Sequence, residues 1–202
     1  MMSRQGILGA AVILLVPALT LAQSPVESGT VEISGSTGFL GSFQTLGSQD
    51  EADDINITNL ASALGVFFYP SASFGVGVTG ALTKFTTSAG SSDLTANSTL
   101  IGPAVKFRIG GGSAQFVLTG GAGITRTTLD ITGQDFGSME ETGLTTDGFY
   151  WVAGGEVDFF LNDFVSLDVG AKYQASTVTD DADGEFDVAG LTVGVGFSLY
   201  FN

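Results

Sequence analysis

Residues 149–176 read FYWVAGGEVDFFLNDFVSLDVGAKYQAS and alternate with a period of two on both sides of a short break at Leu161-Asn162-Asp163. Phe149, Trp151, Ala153, Gly155, Val157 and Phe159 share one face, and Val165, Leu167, Val169, Ala171 and Tyr173 continue it. The opposite face carries Glu156, Asp158, Asp168 and Lys172 among small residues. Successive side chains of a strand point to opposite sides, so this is a tight hairpin with an apolar row and a polar row. A water-soluble sandwich would bury the first row and wet the second. A closed barrel in lipid would do the reverse, turning the apolar row to acyl chains and the polar row into its lumen.

The same alternation recurs along the chain. Val31, Ile33, Gly35, Thr37 and Phe39 oppose Glu32, Ser34, Ser36 and Gly38 within a first strand over 30–43. Strands follow over 55–69, with Leu60, Leu64, Val66 and Phe68 on one face, and over 74–85, with Phe74, Val76, Val78 and Leu82. Residues 97–109 set Ile101, Val105 and Phe107 against Lys106 and Arg108, and 114–128 set Phe116, Leu118 and Ile124 against Gln115, Thr119 and Gly121. The last strand, 188–201, sets Leu191, Val193, Val195, Phe197, Leu199 and Phe201 against glycines, Ser198 and Tyr200.

This makes eight strands of about 12 residues, close to the 9–11 that cross a bilayer at a tilt. Connections near Pro70, Gly111 and Asn162 are short, and those near Asp50, Ser91, Asp135 and Asp181 are long and acidic. Short and long links alternate, so every long loop falls at one end of an up-and-down sheet. That is the wiring of an antiparallel transmembrane β-barrel with short periplasmic turns and long external loops.

Composition agrees with lipid as the solvent. Apolar residues make up 44% and charged residues 13% of the chain, against roughly 25% charged in soluble proteins. A formal charge of −15, with six Lys and Arg and no basic stripe, makes nucleic acid a poor partner, because phosphate binding needs a Lys/Arg surface. Arg4, the apolar run 7–16 and Thr20-Leu21-Ala22 form a cleavable signal peptide over 1–22. A short segment, 23–28, then precedes a barrel domain over 29–202. Removing Arg4 leaves 5 basic and 21 acidic residues, 5 − 21 = −16. There is no cysteine, hence no disulfide and no lipidated N-terminal cysteine.

The segments ALGVFFYPSASFGVGVTGAL (63–82), VKFRIGGGSAQFVLTGGAGITRT (105–127), GGEVDFFLNDFVSLDVGAKYQAS (154–176) and LTVGVGFSLYF (191–201) resemble the small eight-stranded outer-membrane barrels of the OmpA, OmpX and opacity-porin type. The resemblance spans 29–202 and implies the outer membrane of a Gram-negative-type bacterium. It also implies lipid and lipopolysaccharide around the wall, insertion by the outer-membrane assembly machinery, and a monomer. Members of that group usually end on an aromatic residue; here Asn202 follows Phe201.

Catalysis is not expected. Barrel enzymes of the omptin, phospholipase and lipid A deacylase kinds use histidine, and this chain has none; no catalytic, cofactor or metal residue is assigned. The acidic clusters Asp50, Glu51, Asp53, Asp54; Glu140, Glu141; and Asp180, Asp181, Asp183, Glu185, Asp187 are oxygen-rich, but TDDADGEFD lacks the first carboxylate and closing glutamate of an EF-hand loop. They read as solvated loops. The inward face collects Glu32, Lys106, Arg108, Glu156, Asp158, Asp168 and Lys172. In a lumen only wide enough for side chains, these should form a paired network rather than a pore lining. Phe68, Tyr69, Trp151, Tyr173 and Phe201, near strand ends, should form the interfacial girdle, while Lys84 and Arg126 lie at the loop end, within reach of lipopolysaccharide phosphates. The expected role is structural or surface-interactive, exercised by the acidic loops. The alternatives are a narrow passive channel for small or apolar solutes and a soluble, lipocalin-like periplasmic binder.

Overall fold

The computed structural model describes residues 26–38, 42–47, 57–89, 92–133, 144–179 and 185–202. They form nine strand segments: β1 (Val31–Thr37), β2 (Ser42–Gly47), β3 (Ile57–Ser71), β4 (Phe74–Ala89), β5 (Ser92–Ile109), β6 (Ala114–Gly133), β7 (Leu144–Asn162), β8 (Val165–Thr179) and β9 (Glu185–Phe201). Each of β3 to β9 pairs antiparallel with its sequence neighbour, and β1 closes the ring by pairing with both β3 and β9. β1 and β2 occupy a single place in the wall, so the barrel is eight-stranded. The first strand is therefore interrupted where the sequence predicts continuity. Thr37 pairs with Ser62 and Val195, and Ser42 with Asn59 and Thr192. Between Thr37 and Ser42 the register thus advances five residues on this chain and three on each neighbour.

The predicted signal peptide, 1–22, lies outside the described residues, as do 23–25. Val26 is buried at the short-turn end with Phe67, Tyr69 and Phe160. Gly29 then turns the chain at φ +100° while its N–H bonds to the Tyr69 carbonyl at 2.8 Å.

Strands run well past the predicted limits. β4 and β5 stay in register to Ala89 opposite Ser92, β6 continues to Gly133 opposite that same Ser92, and β8 and β9 meet at Thr179 and Glu185. Much of 86–96, 129–148 and 177–187, expected as loop, is paired strand. These stretches are rich in threonine, and a β-branched residue pairs readily in a ladder. The hairpins consequently rise beyond the lipid-crossing part of the wall.

Side-chain alternation follows the predicted parity. Leu64, Val66, Phe68, Val78, Leu82, Ile101, Ile124, Phe149, Phe197 and Phe201 point outward and are exposed, an apolar surface far beyond what a soluble monomer tolerates. No helix among the described residues is long and apolar enough to cross a membrane. The barrel crosses with strands that have a paired neighbour on both sides once the ring closes. Inward glycines let the wall curve tightly. A Cβ on Gly102 would lie 2.1 Å from the Ala122 carbonyl oxygen, and one on Gly123 would lie 2.2 Å from that of Ile101.

Candidate functional site: a charged network across the lumen

Short turns hold the polar row of each strand at one end of the barrel. Gly110 and Gly112 adopt φ +101° and +82° between β5 and β6, a left-handed conformation that suits glycine. Asn162 Oδ1 accepts the Phe164 N–H at 2.8 Å between β7 and β8. These turns bring Lys106 and Arg108 on β5, Glu156 and Asp158 on β7, and Asp168 on β8 to one level with Glu32 on β1. All six are buried.

Arg108 is the hub. Its Nη2 lies 2.8 Å from Glu32 Oε2 and donates to Tyr200 Oη at 2.9 Å. Nη1 lies 2.7 Å from Asp158 Oδ2 and 3.3 Å from Gln115 Oε1, and Nε donates to Tyr69 Oη at 3.0 Å. Five contacts thus use the five N–H donors of the guanidinium. The rings of Tyr69, Tyr200 and Phe160 surround it at 5.1, 5.2 and 5.8 Å from Cζ, within cation–π range. Lys106 Nζ bridges Glu32 Oε1 at 2.6 Å and Glu156 Oε1 at 2.9 Å, over the Phe67 ring. Lys172 Nζ reaches Glu156 Oε2 at 3.1 Å.

All seven charged residues expected inside are therefore in the lumen. Asp168 joins by a different route: Ser166 Oγ donates to its Oδ1 at 2.5 Å and Ser198 Oγ to its Oδ2 at 2.6 Å, with no cation at ion-pair distance among the described residues. Asp168 also stands directly opposite Asp158 in the β7–β8 register. Four interior carboxylates therefore face three cations, and Asp158 Oδ1 is buried without a hydrogen-bond partner.

The aromatic assignments need one correction. Phe68, Trp151, Tyr173 and Phe201 do face outward and are half-exposed, with Trp151 and Tyr173 rings 5.5 Å apart. Tyr69, expected beside them, is 0% exposed and lies inside, donating to Glu32 Oε2 at 2.5 Å. Tyr150 and Tyr200 also face inward. A phenol at a strand end suits a lipid interface and a buried ion pair equally well, and only parity separates the two. Tyr69 shares its parity with the buried Phe67, and Tyr200 with Ser198. Gln115, Ser166 and Ser198 are further network members that charge alone did not mark.

Above the network, on the loop side, the lumen opens into a cavity of about 130 Å³. Small residues such as Ala61, Ala63, Ala81 and Gly196 form its walls, and Lys106, Glu156 and Asp168 its floor. Outside the lipid-crossing part, exposed Arg126 binds Asp147 in a two-pronged pair at 2.8 and 3.1 Å. That hydrogen bonding holds the Asp147 carboxyl below its ordinary range. Arg126 is thus engaged by a carboxylate across the strand pair; Lys84 is exposed on the outer face. The clusters Asp50–Asp54, Glu140–Glu141 and Asp180–Asp183 lie outside the described residues, and the side chains of Glu185 and Asp187 are likewise not described.

The profile of the outer membrane protein beta-barrel domain matches residues 8–198. Among solved structures the chain is similar to Ail, the attachment invasion locus protein of Yersinia pestis. They share 16% identity at a TM-score of 0.56 over 86% of this chain and 99% of that one. Neisserial surface protein A aligns at 12% identity and a TM-score of 0.57, covering 86% of this chain and 100% of its own. A major outer membrane protein from Thermus thermophilus aligns at 10% identity and 0.54, covering 87% and 100%. At such identities the likeness is one of fold. No curated protein is similar enough in sequence to match.

Proposed function

We propose that this chain, which belongs to the outer membrane protein β-barrel family, is a sealed scaffold that anchors acidic loops at the cell surface. Family membership places it in the outer membrane of a Gram-negative bacterium, with lipid around its wall, and removes the soluble periplasmic reading. Within that frame we read a non-enzymatic, monomeric barrel with a surface-interaction role.

One observation carries the sealed reading. Arg108, Glu32, Asp158, Tyr69 and Tyr200 lock across the short-turn end with side chains that are almost wholly buried. Opening a path would separate buried opposite charges, each separation costing several kcal/mol. Charge supports the choice of partner. Ail also forms a complex with the heparin analogue sucrose octasulfate, whereas this chain carries −15 overall with carboxylates clustered in its predicted loops. A sulfated polyanion would meet like charge here, and a cationic protein or peptide surface is the complementary partner. Planar-bilayer recording on the refolded protein tests the reading. Silence apart from rare events is expected, and steady single-channel openings would replace the scaffold by a conduit.

A further inference from the structure

Beyond the sealed scaffold, we infer that the loop-side cavity is a binding chamber for one small neutral molecule with an apolar body and a single hydroxyl or carbonyl group. One rung of the barrel wall builds its polar end. Lys106 pairs with Thr119, Thr119 with Gly154, Gly154 with Lys172 and Lys172 with Thr192 in the registers of β5 to β9. Gly154 is the bare position in that rung: a Cβ there would lie 2.6 Å from Lys172 Cγ. Its absence makes room for the Lys172 stem against β7, and Thr119 and Lys172 both line the cavity.

Thr119 lines the cavity, is 7% exposed, and its Oγ1 has no hydrogen-bond partner among the described residues. A buried hydroxyl left in that state costs free energy unless an occupant satisfies it. Lys172 Nζ uses one of three donors on Glu156, leaving two for the chamber. The site therefore asks for an acceptor. It does not ask for a full anion, because Glu156 and Asp168 share the floor and interior carboxylates outnumber cations. Nor does it ask for a cation, which would meet Lys106 and Lys172. Most of the remaining lining, including Ala61, Ala63, Ala81, Leu100, Val152 and Val195, is apolar or small, with Gln174, Tyr150 and a few serine and threonine hydroxyls between. A cavity of about 150 Å³ lined by apolar side chains holds a benzene ring, so about 130 Å³ sets the body at a single ring or a short branched chain.

The test uses the full barrel in lipid nanodiscs with ¹⁹F NMR of 4-fluorobenzyl alcohol and 4-fluorotoluene. Saturable binding of the alcohol is expected above the partitioning into lipid. Ala81→Leu and the double variant Ala63→Leu/Ala81→Leu fill the chamber from facing positions of β3 and β4 and should weaken it at least tenfold. The outward Leu82→Ala should not. Thr119→Val should cut affinity for the alcohol about three- to tenfold while leaving fluorotoluene unchanged. Heat-modifiable gel migration reports folding of each variant, and the single Ala81→Leu serves if the double variant does not fold. Equal binding by a folded, filled variant, or partitioning with no saturable component, overturns the inference: the chamber would then hold water only. Equal loss of both probes in Thr119→Val overturns the assignment of a polar contact.

Discussion

The two halves of this lumen are built on opposite plans. Toward the short turns, Tyr69, Tyr200, Phe160 and Arg108 fill the bore and every guanidinium donor is spent. Toward the loops, alanines, glycines and threonines leave a partly open space of about 130 Å³. The wall is one continuous sheet, so the difference lies only in side-chain size on the inward parity. Where large amphipathic side chains point inward they bring their charges with them, and each charge must find a partner. Where small ones do, few charges need pairing and room remains. Closure and capacity are thus separable properties of the same strands.

Variants can break that contrast, beginning with the hub. Arg108→Ala should leave Glu32 and Asp158 short of their partner in a desolvated site. It should cost about 3–5 kcal/mol, read as a lower urea midpoint for the barrel in detergent. Cavity-side Thr119→Val, by comparison, should hold or raise that midpoint, because the hydroxyl it removes is unpaired. Should Arg108→Ala prove neutral, the packed half is not where stability resides.

A finer comparison separates the two facing aspartates. Asp158→Asn weakens a charged hydrogen bond to Arg108 and should cost about 1.5–3 kcal/mol. Asp168→Asn removes a carboxylate that has no cation at ion-pair distance among the described residues and stands opposite another; its midpoint should be unchanged or higher. The reverse order would show that the carboxylate excess is compensated elsewhere. Tyr69→Phe, which removes the donor to Glu32 and the acceptor of Arg108 Nε, should fall near about 1–3 kcal/mol. The smallest effect belongs to Arg126→Ala. That pair is fully solvent-screened, so the midpoint should not move at any salt concentration.

Much of this was legible beforehand, for a definite reason. Lys106 and Arg108 bracket Phe107, and Glu156 and Asp158 bracket Val157, so period two assigns each charge to the lumen once the apolar face is turned to lipid. Tyr69 was not legible, because β3 carries no charge to mark its wet face and its phenol fits both environments. Nor were the strand ends: ladder hydrogen bonds belong to the backbone, and serine or threonine at the surface does not say whether the backbone is paired. The change of register between Thr37 and Ser42 leaves no mark in hydrophobicity. The chamber was hidden for the converse reason, since it is defined by what small residues leave out.

The seam between β1 and β9 carries a last consequence. Thr30 Oγ1 donates to Asn202 Oδ1 at 2.5 Å, joining residues 172 positions apart, and Val31 sits opposite Phe201. The ring cannot be completed piecemeal: until β9 arrives, the sheet keeps two raw margins that hydrocarbon will not solvate. A chain cut before Glu185 should therefore fail outright rather than make a seven-strand cylinder. Pairing of the final seventeen residues of strand with β1 is the step that closes the molecule to hydrocarbon.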